Sequence, residues 1–127
     1  SPTHTFSQLQ WLIKHLPSSV YVDIAYLKGD TKPVAGICYF VINNQVNSSF
    51  YLSQNPQEQS YNALTLLIFE GLERAKAQGY SWFDFGMSST NMKGQGNIFS
   101  FKESFGSIGL FRETYSISFD NDIPNFA

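Results

Sequence analysis

The chain has 127 residues, a formal charge of −2, 43% hydrophobic and 17% aromatic residues, and only 14% charged ones. That length suits one domain able to bury about two-thirds of its unfolded surface, and so many aromatics beside a charged fraction below the usual ~25% exclude a disordered chain. The absence of any Lys or Arg cluster excludes a DNA partner, the single Cys38 excludes an internal disulfide, and no apolar run approaches the ~20 residues of a membrane span.

The opening SPTHTF has neither a methionine nor a signal pattern. The expectation is a cytoplasmic piece of a longer protein, with the rest of that full-length chain as a natural partner. Thr5 to Leu16 then reads as a short helix, with Phe6, Leu9, Leu12, Ile13 and Leu16 at helical spacing. Thr5 and Gln8 have capping-box spacing and Pro17 stops the helix. His4 lies just before this element and His15 on its polar side, and, without a carboxylate or cysteine nearby in sequence, both read as surface residues.

Val20 to Leu27 alternates as a strand, with Val20, Val22, Ile24 and Tyr26 on one face. KGDTKP is a hairpin turn, and Val34 to Ile42 is a nearly continuous apolar run suited to a central strand. Within it Gly36 marks a bulge or a close backbone approach, and Cys38 reads as a buried, inert thiol. Asn43 and Asn44 make a turn in which both tolerate left-handed backbone. Val46 to Ser53 is the partner strand, half exposed or lining a cleft. QNPQEQSYN leads into the longest helix, whose buried face is Ala63, Leu64, Leu67, Ile68, Gly71, Leu72 and Ala75. Gly71 on that face lets the helix approach the sheet closely. Glu70 and Arg74 form an i, i+4 pair on the outer face.

The most informative stretch follows: GYSWFDFGMSSTNMKGQGNIFSFKESFG, from Gly79 to Gly106. Tyr80 to Phe85 has the aromatic alternation of a buried strand. Gly86 ends it, and the polar run from Ser88 to Gly96 is a loop with hinges at Gly94 and Gly96. A short helix starts near Asn97 and ends at Gly106, a natural left-handed cap. Ile98, Phe101 and Phe105 form its apolar stripe, and Lys102 falls on that same stripe. Two strands, near Ile108 to Phe111 and Thr114 to Phe119, complete the order, before a loose polar tail.

The fold class expected is therefore α+β, built in three layers: a mixed, mainly antiparallel sheet with one long and two short helices. The segments Gly79, Phe83, Phe85, Gly86 and Phe101, Lys102, Phe105, Gly106 also resemble the C-terminal half of the GNAT superfamily, with the closer likeness to its Fem-type branch of peptidoglycan-bridge aminoacyltransferases. The likeness covers roughly Val34 to Phe119. It implies a GNAT-like, three-layer fold whose first strand and first helix are absent. It also implies exposed apolar sheet surface where those elements would lie, which a homodimer partner could cover.

The resemblance implies N-acyl transfer: an acyl or aminoacyl group passes to a small-molecule or peptide amine. The donor enters where the strands Val46–Ser53 and Ser81–Gly86 splay. Tyr51, Ser53, Ser88 and Ser89 would line that cleft. Tyr61, at the opening of the long helix, and Phe101 join them as substrate-binding candidates. Lys102 and Asp84 are the catalytic candidates. Lys102 either snorkels from the edge of a buried face or serves the cleft, and the resemblance favours the cleft. Asp84 in an aromatic strand must accept hydrogen bonds or pair with a cation, or else act as a base with a raised pKa. Tyr61 and Asn62 open either a plain capped helix or an anion site.

Ordinary GNAT enzymes hold the acetyl-CoA pyrophosphate on a glycine-bearing loop. QNPQEQSYNA has no glycine, so an aminoacyl-tRNA donor fits better than an acyl-CoA. A glutamate base on the strand Val46–Ser53 is missing too. A GNAT-fold module that binds without catalysing is the alternative. No metal site is expected.

Overall fold

The computed structural model describes residues 3–91 and 93–117. The chain divides into two compact units, Ser1–Met87 and Ser88–Ala127. The first unit contains α1 (Phe6–His15), β1 (Val20–Tyr26), β2 (Pro33–Val41), β3 (Val46–Gln54), a 3₁₀ turn (Pro56–Tyr61), α2 (Ala63–Ala77) and β4 (Trp82–Asp84). Its sheet runs β1-β2-β3-β4, with the first two pairings antiparallel and β3–β4 parallel. This is the mixed α+β architecture expected from the sequence.

The register sorts side chains onto two faces. Tyr21, Tyr39 and Ser49 align across one face, with Asp23, Ile37 and Leu52 beside them. Val22, Cys38 and Tyr51 align on the other, with Ile24, Gly36 and Ser53. Helix α2 covers the first face through Ala63, Leu67, Ile68, Gly71 and Ala75, all buried. The close approach expected at Gly71 is real: a Cβ there would lie 2.5 Å from the Tyr39 hydroxyl. That hydroxyl donates to the Leu67 carbonyl at 3.0 Å, and Tyr39 has no solvent exposure. Burial is the main cause that lifts its pKa above the usual tyrosine range, with Asp23 adding to it.

Four local expectations change. Arg74 does not pair with Glu70 on the outer face. It forks onto the Asp23 carboxylate and lies over the rings of Tyr21 and Tyr39, at 4.9 and 5.1 Å from their centroids. A half-buried carboxylate and two aromatic faces hold a guanidinium better than an exposed helical neighbour does. The bulge is not at Gly36. The register shifts instead at Phe50 of β3, the extra residue between the pairs Cys38–Tyr51 and Tyr39–Ser49, and at the end of the β1–β2 pairing, between Ala25 and Tyr26. The turn Asn43-Asn44 uses no left-handed residue. Instead the Asn43 Oδ1 accepts from the backbone of Gln45 and Val46, at 2.8 and 3.0 Å. Finally, α1 carries the expected capping box between Thr5 and Gln8 but buries none of its residues. Leu9, Leu12 and Ile13 are half covered, while Phe6 and Leu16 face solvent.

Strand β4 is shorter than expected, because the backbone N–H groups of both Ser81 and Trp82 converge on the Gln45 carbonyl before the ladder begins. It is also not a buried strand. Trp82 and Asp84 are exposed, and Phe85, just past its end, is buried. On the edge strand β1, Val22, Ile24 and Tyr26 are each more than a third exposed.

The second unit holds a small hairpin, β5 (Ser89–Thr90) with β6 (Lys93–Gly94), and α3 (Gly96–Glu103). Gly106 follows with φ +80 as the left-handed residue after the helix. The burial of α3 inverts the expectation. Ile98 and Phe101 are more than a third exposed, and Lys102 is its buried residue. Residues 107–117 form no strand, with Ile108, Leu110 and Phe111 exposed. The alternation there is short, and a strand forms only against a partner. The rest of the second expected strand, through Phe119, lies outside the described residues.

Candidate functional site

The geometry that bears on function begins where β3 and β4 stop pairing. Their parallel ladder has three rungs: Val46–Trp82, Asn47–Phe83 and Ser48–Asp84. At the last rung the Ser48 hydroxyl donates to the Asp84 carbonyl at 3.0 Å. Beyond it β3 continues from Ser49 to Gln54, while β4 has ended and the chain turns at Gly86, φ +70. The bulge at Phe50 follows immediately on β3. Parallel pairing needs continuous register, so a strand that bulges at the next residue but one re-aims its backbone away from the neighbour. The two strands part there in a fork, and beyond Ser48 this edge of β3 pairs with no other strand among the described residues. Asp84 is solvent-exposed, and its Oδ1 accepts from the Gly86 N–H at 2.7 Å. The buried carboxylate expected there is thus corrected to an exposed one that fixes the turn.

Tyr51 is the first residue past the bulge. Its hydroxyl receives the His4 backbone N–H at 2.9 Å and meets His4 Nδ1 at 2.8 Å. His4 is therefore half-buried, not a surface histidine. Its ring stacks on Phe40, 5.9 Å between centroids, and touches Phe50 at 5.8 Å. The capping box at Thr5 starts α1 one residue later and so fixes where His4 sits. Next to Tyr51 an open cavity of about 310 Å³ lies over the sheet face away from α2, walled by Leu9, Val22, Ile24 and Cys38, with Ser53 and Gln54 polar along it. Burial pushes the Cys38 thiol up to about 11, in keeping with an inert role.

The link from β3 to α2 is the remaining element near the fork in sequence. Asn55 caps the 3₁₀ turn by accepting from the Gln57 N–H at 3.2 Å. Asn62 takes the capping position of α2 in left-handed conformation, φ 52, without a side-chain bond. Its carbonyl accepts from Leu66 N–H at 3.1 Å. Glu58 lies within the turn, with one carboxylate oxygen buried. Tyr61 ends the turn, exposed, and is not among the residues that wall the cavity.

Of the site residues expected from sequence, Tyr51 and Ser53 are brought together on one cavity wall, and Asp84 stands at the end of the ladder. Ser88, Ser89, Phe101 and Lys102 belong to the second unit. There the Ser88 carbonyl accepts from Gln95 N–H at 2.8 Å, Ser89 opens the hairpin, and Phe101 packs edge-on against Phe105 at 5.3 Å. Sequence reasoning missed His4 and Glu58. His4 meets a residue 47 positions away, which no local pattern announces. Among the described residues no group of three or more His, Cys, Asp or Glu could hold a metal ion.

No curated protein matches the chain, and no solved structure does. A family model does, described as acetyltransferase (GNAT) domain, over residues 1–94. That span includes α1, the whole four-stranded sheet with its fork, and α2. The match covers well over half of the 127 residues, and the chain belongs to the GNAT acetyltransferase domain family.

Proposed function

We propose that the protein is a Fem-type N-acyltransferase, in which the donor's acyl or aminoacyl group enters the fork between β3 and β4 and passes to an amine. The family supports N-acyl transfer in general. The observation that carries the finer reading is the fork itself: a ladder closed at Ser48–Asp84, followed by a bulge at Phe50. An opening of this kind exposes backbone donors of β3 to a carbonyl oxygen that gains charge during transfer. Tyr51 and Ser53 line the acceptor side. In the first unit Asp84 is proposed as a proton acceptor, and in the second unit Lys102 is proposed as a point charge for an anionic donor. Ser88, Ser89, Tyr61 and Phe101 are proposed to contact substrate.

The test is transfer by the full-length protein from acetyl-CoA and, separately, from alanyl-tRNA to a peptide bearing a lysine amine. Transfer from alanyl-tRNA is expected. Absence of transfer from both donors would refute the reading. It would favour a non-catalytic binding module, a second reading favoured by β3, VNSSFYLSQ, which has no carboxylate to act as a base.

A further inference from the structure

We propose that His4 stands behind Tyr51 as a positioning residue: Tyr51 takes a proton from the acceptor amine while the imidazole takes Tyr51's own. The inference rests on the acyl-transfer reading and puts this pair, in place of Asp84, on the route by which the amine loses its proton.

Two contacts join the pair. The His4 N–H donates to the Tyr51 oxygen at 2.9 Å, so that oxygen already accepts one bond. The second contact, 2.8 Å to Nδ1, gives the phenol proton its acceptor when the imidazole carries its hydrogen on Nε2. The pair is preorganised. Phe40 stacks on the imidazole, and Phe50, at the bulge, packs against Phe40 at 4.6 Å. The groups facing His4 are Phe40 from β2, Phe50 and Tyr51 from β3, and the uncharged Ser7, Gln8 and Trp11 from α1. Among these described residues Tyr51 is the titratable one. Cys38 lies opposite Tyr51 in register, and its burial keeps it a thiol at neutral pH. Tyr51 is also one of the residues that wall the open cavity, the space a substrate amine would enter.

The step balances as follows. The amine nitrogen attacks the acyl carbon and a C–N bond forms. The bond from that carbon to the donor's oxygen or sulfur breaks, and its electron pair leaves with that atom. The proton shed by the nitrogen moves to the Tyr51 oxygen as Tyr51's proton moves to His4 Nδ1. The resulting imidazolium returns a proton, by way of Tyr51, to the departing oxygen or sulfur. A base behind the phenol is needed because a hydroxyl that still holds its own proton is a poor acceptor of a second one.

The test uses the full-length protein, alanyl-tRNA and acetyl-CoA as donors, and a lysine peptide as acceptor. His4→Asn keeps a group able to hydrogen-bond Tyr51 but cannot hold the proton. It is expected to lower kcat by about 10²-fold, with KM within about twofold. Tyr51→Phe should cost about as much, and the double variant no more than Tyr51→Phe alone. His4→Asn with wild-type kcat overturns the proposal, because the imidazole would then only pack.

Nitrogen-15 NMR of ring-labelled histidine decides the pairing without any turnover. The Nε2–H tautomer is expected, with the Nδ1 resonance moving in Tyr51→Phe, and an unmoved resonance overturns the pair. A protein that transfers from neither donor overturns the acyl-transfer reading and the proton route with it, while the NMR result still decides the pairing on its own.

Discussion

Gly71 shows how one missing side chain sets the distance between a helix and a sheet. In an exposed helix, Gly71→Ala would gain about 1 kcal/mol of propensity. Here the new methyl would meet the Tyr39 hydroxyl at 2.5 Å and its ring at 2.9 Å, and Tyr39 is pinned by its bond to Leu67. Overpacking of a fixed core ring costs typically 1–3 kcal/mol and more where nothing yields. A net loss of about 2 kcal/mol is expected in urea denaturation, and a stabilised variant would contradict this packing.

Cys38 gives a pH signature at the same scale. Its pKa rises from 9.0 to about 11 by burial, so above pH 9 the unfolded chain releases a proton that the folded chain keeps. Stability due to this thiol is whole below pH 9 and is lost as pH rises toward 11, about 2–3 kcal/mol in all. Cys38→Ala should flatten that part of the stability–pH curve, leaving the decline that the raised Tyr39 contributes at higher pH. The close-packed role of Gly71 was legible in the sequence because helical periodicity placed it on the buried face. The Arg74–Asp23 pair was not, since the two residues lie 51 positions apart and the local i, i+4 rule pointed to Glu70.

At the scale of elements, legibility followed periodicity and length. Helix α2 and strand β2 announce themselves, because a 15-residue amphipathic pattern and a continuous apolar run each have one good solution. The segment after Gly106 has apolar residues but too few of them to define a strand without a partner. Helix α1 is legible from its capping box, yet its lack of buried residues is not. That lack has a consequence: few buried contacts mean low local stability. Amides of α1 are expected to exchange with deuterium well before those of α2, whose inner face is buried from Ala63 to Ala75. Equal protection would refute it.

Helix α3 carries the opposite oddity, a buried lysine beside half-exposed phenylalanines. Burial of an ammonium is costly unless it meets a polar group. Lys102→Met preserves the volume of the stem. It is expected to lower kcat/KM for alanyl-tRNA at least tenfold while stability moves by less than ~1.5 kcal/mol. A larger stability loss with transfer intact would make the lysine structural.

For the molecule as a whole, the donor is the decisive question, and the link between β3 and α2 bears on it most. Sequence made the question visible through a missing glycine. The structure adds the reason the link is a poor cradle for a pyrophosphate. An anion at a helix start needs several backbone N–H groups turned toward it and room for close approach. Here Pro56 offers no N–H, and Asn55 already occupies that of Gln57. Glu58 puts a negative charge into the turn itself, with one oxygen buried, where a second anion would be repelled. The family leads one to look for an acyl-CoA at this place, whereas the residues argue against tight binding of one.

The 127-residue chain is therefore expected to show no heat of binding with acetyl-CoA up to about millimolar concentration, a threshold of roughly 4 kcal/mol. Glu58→Gln serves as the control. It should still show none if the missing amides are the cause, and should gain measurable affinity if repulsion alone is. Low-micromolar binding by the unaltered chain would overturn the argument, return the donor to the acyl-CoA class, and leave the fork and the Tyr51–His4 pair to act on a thioester instead of an ester.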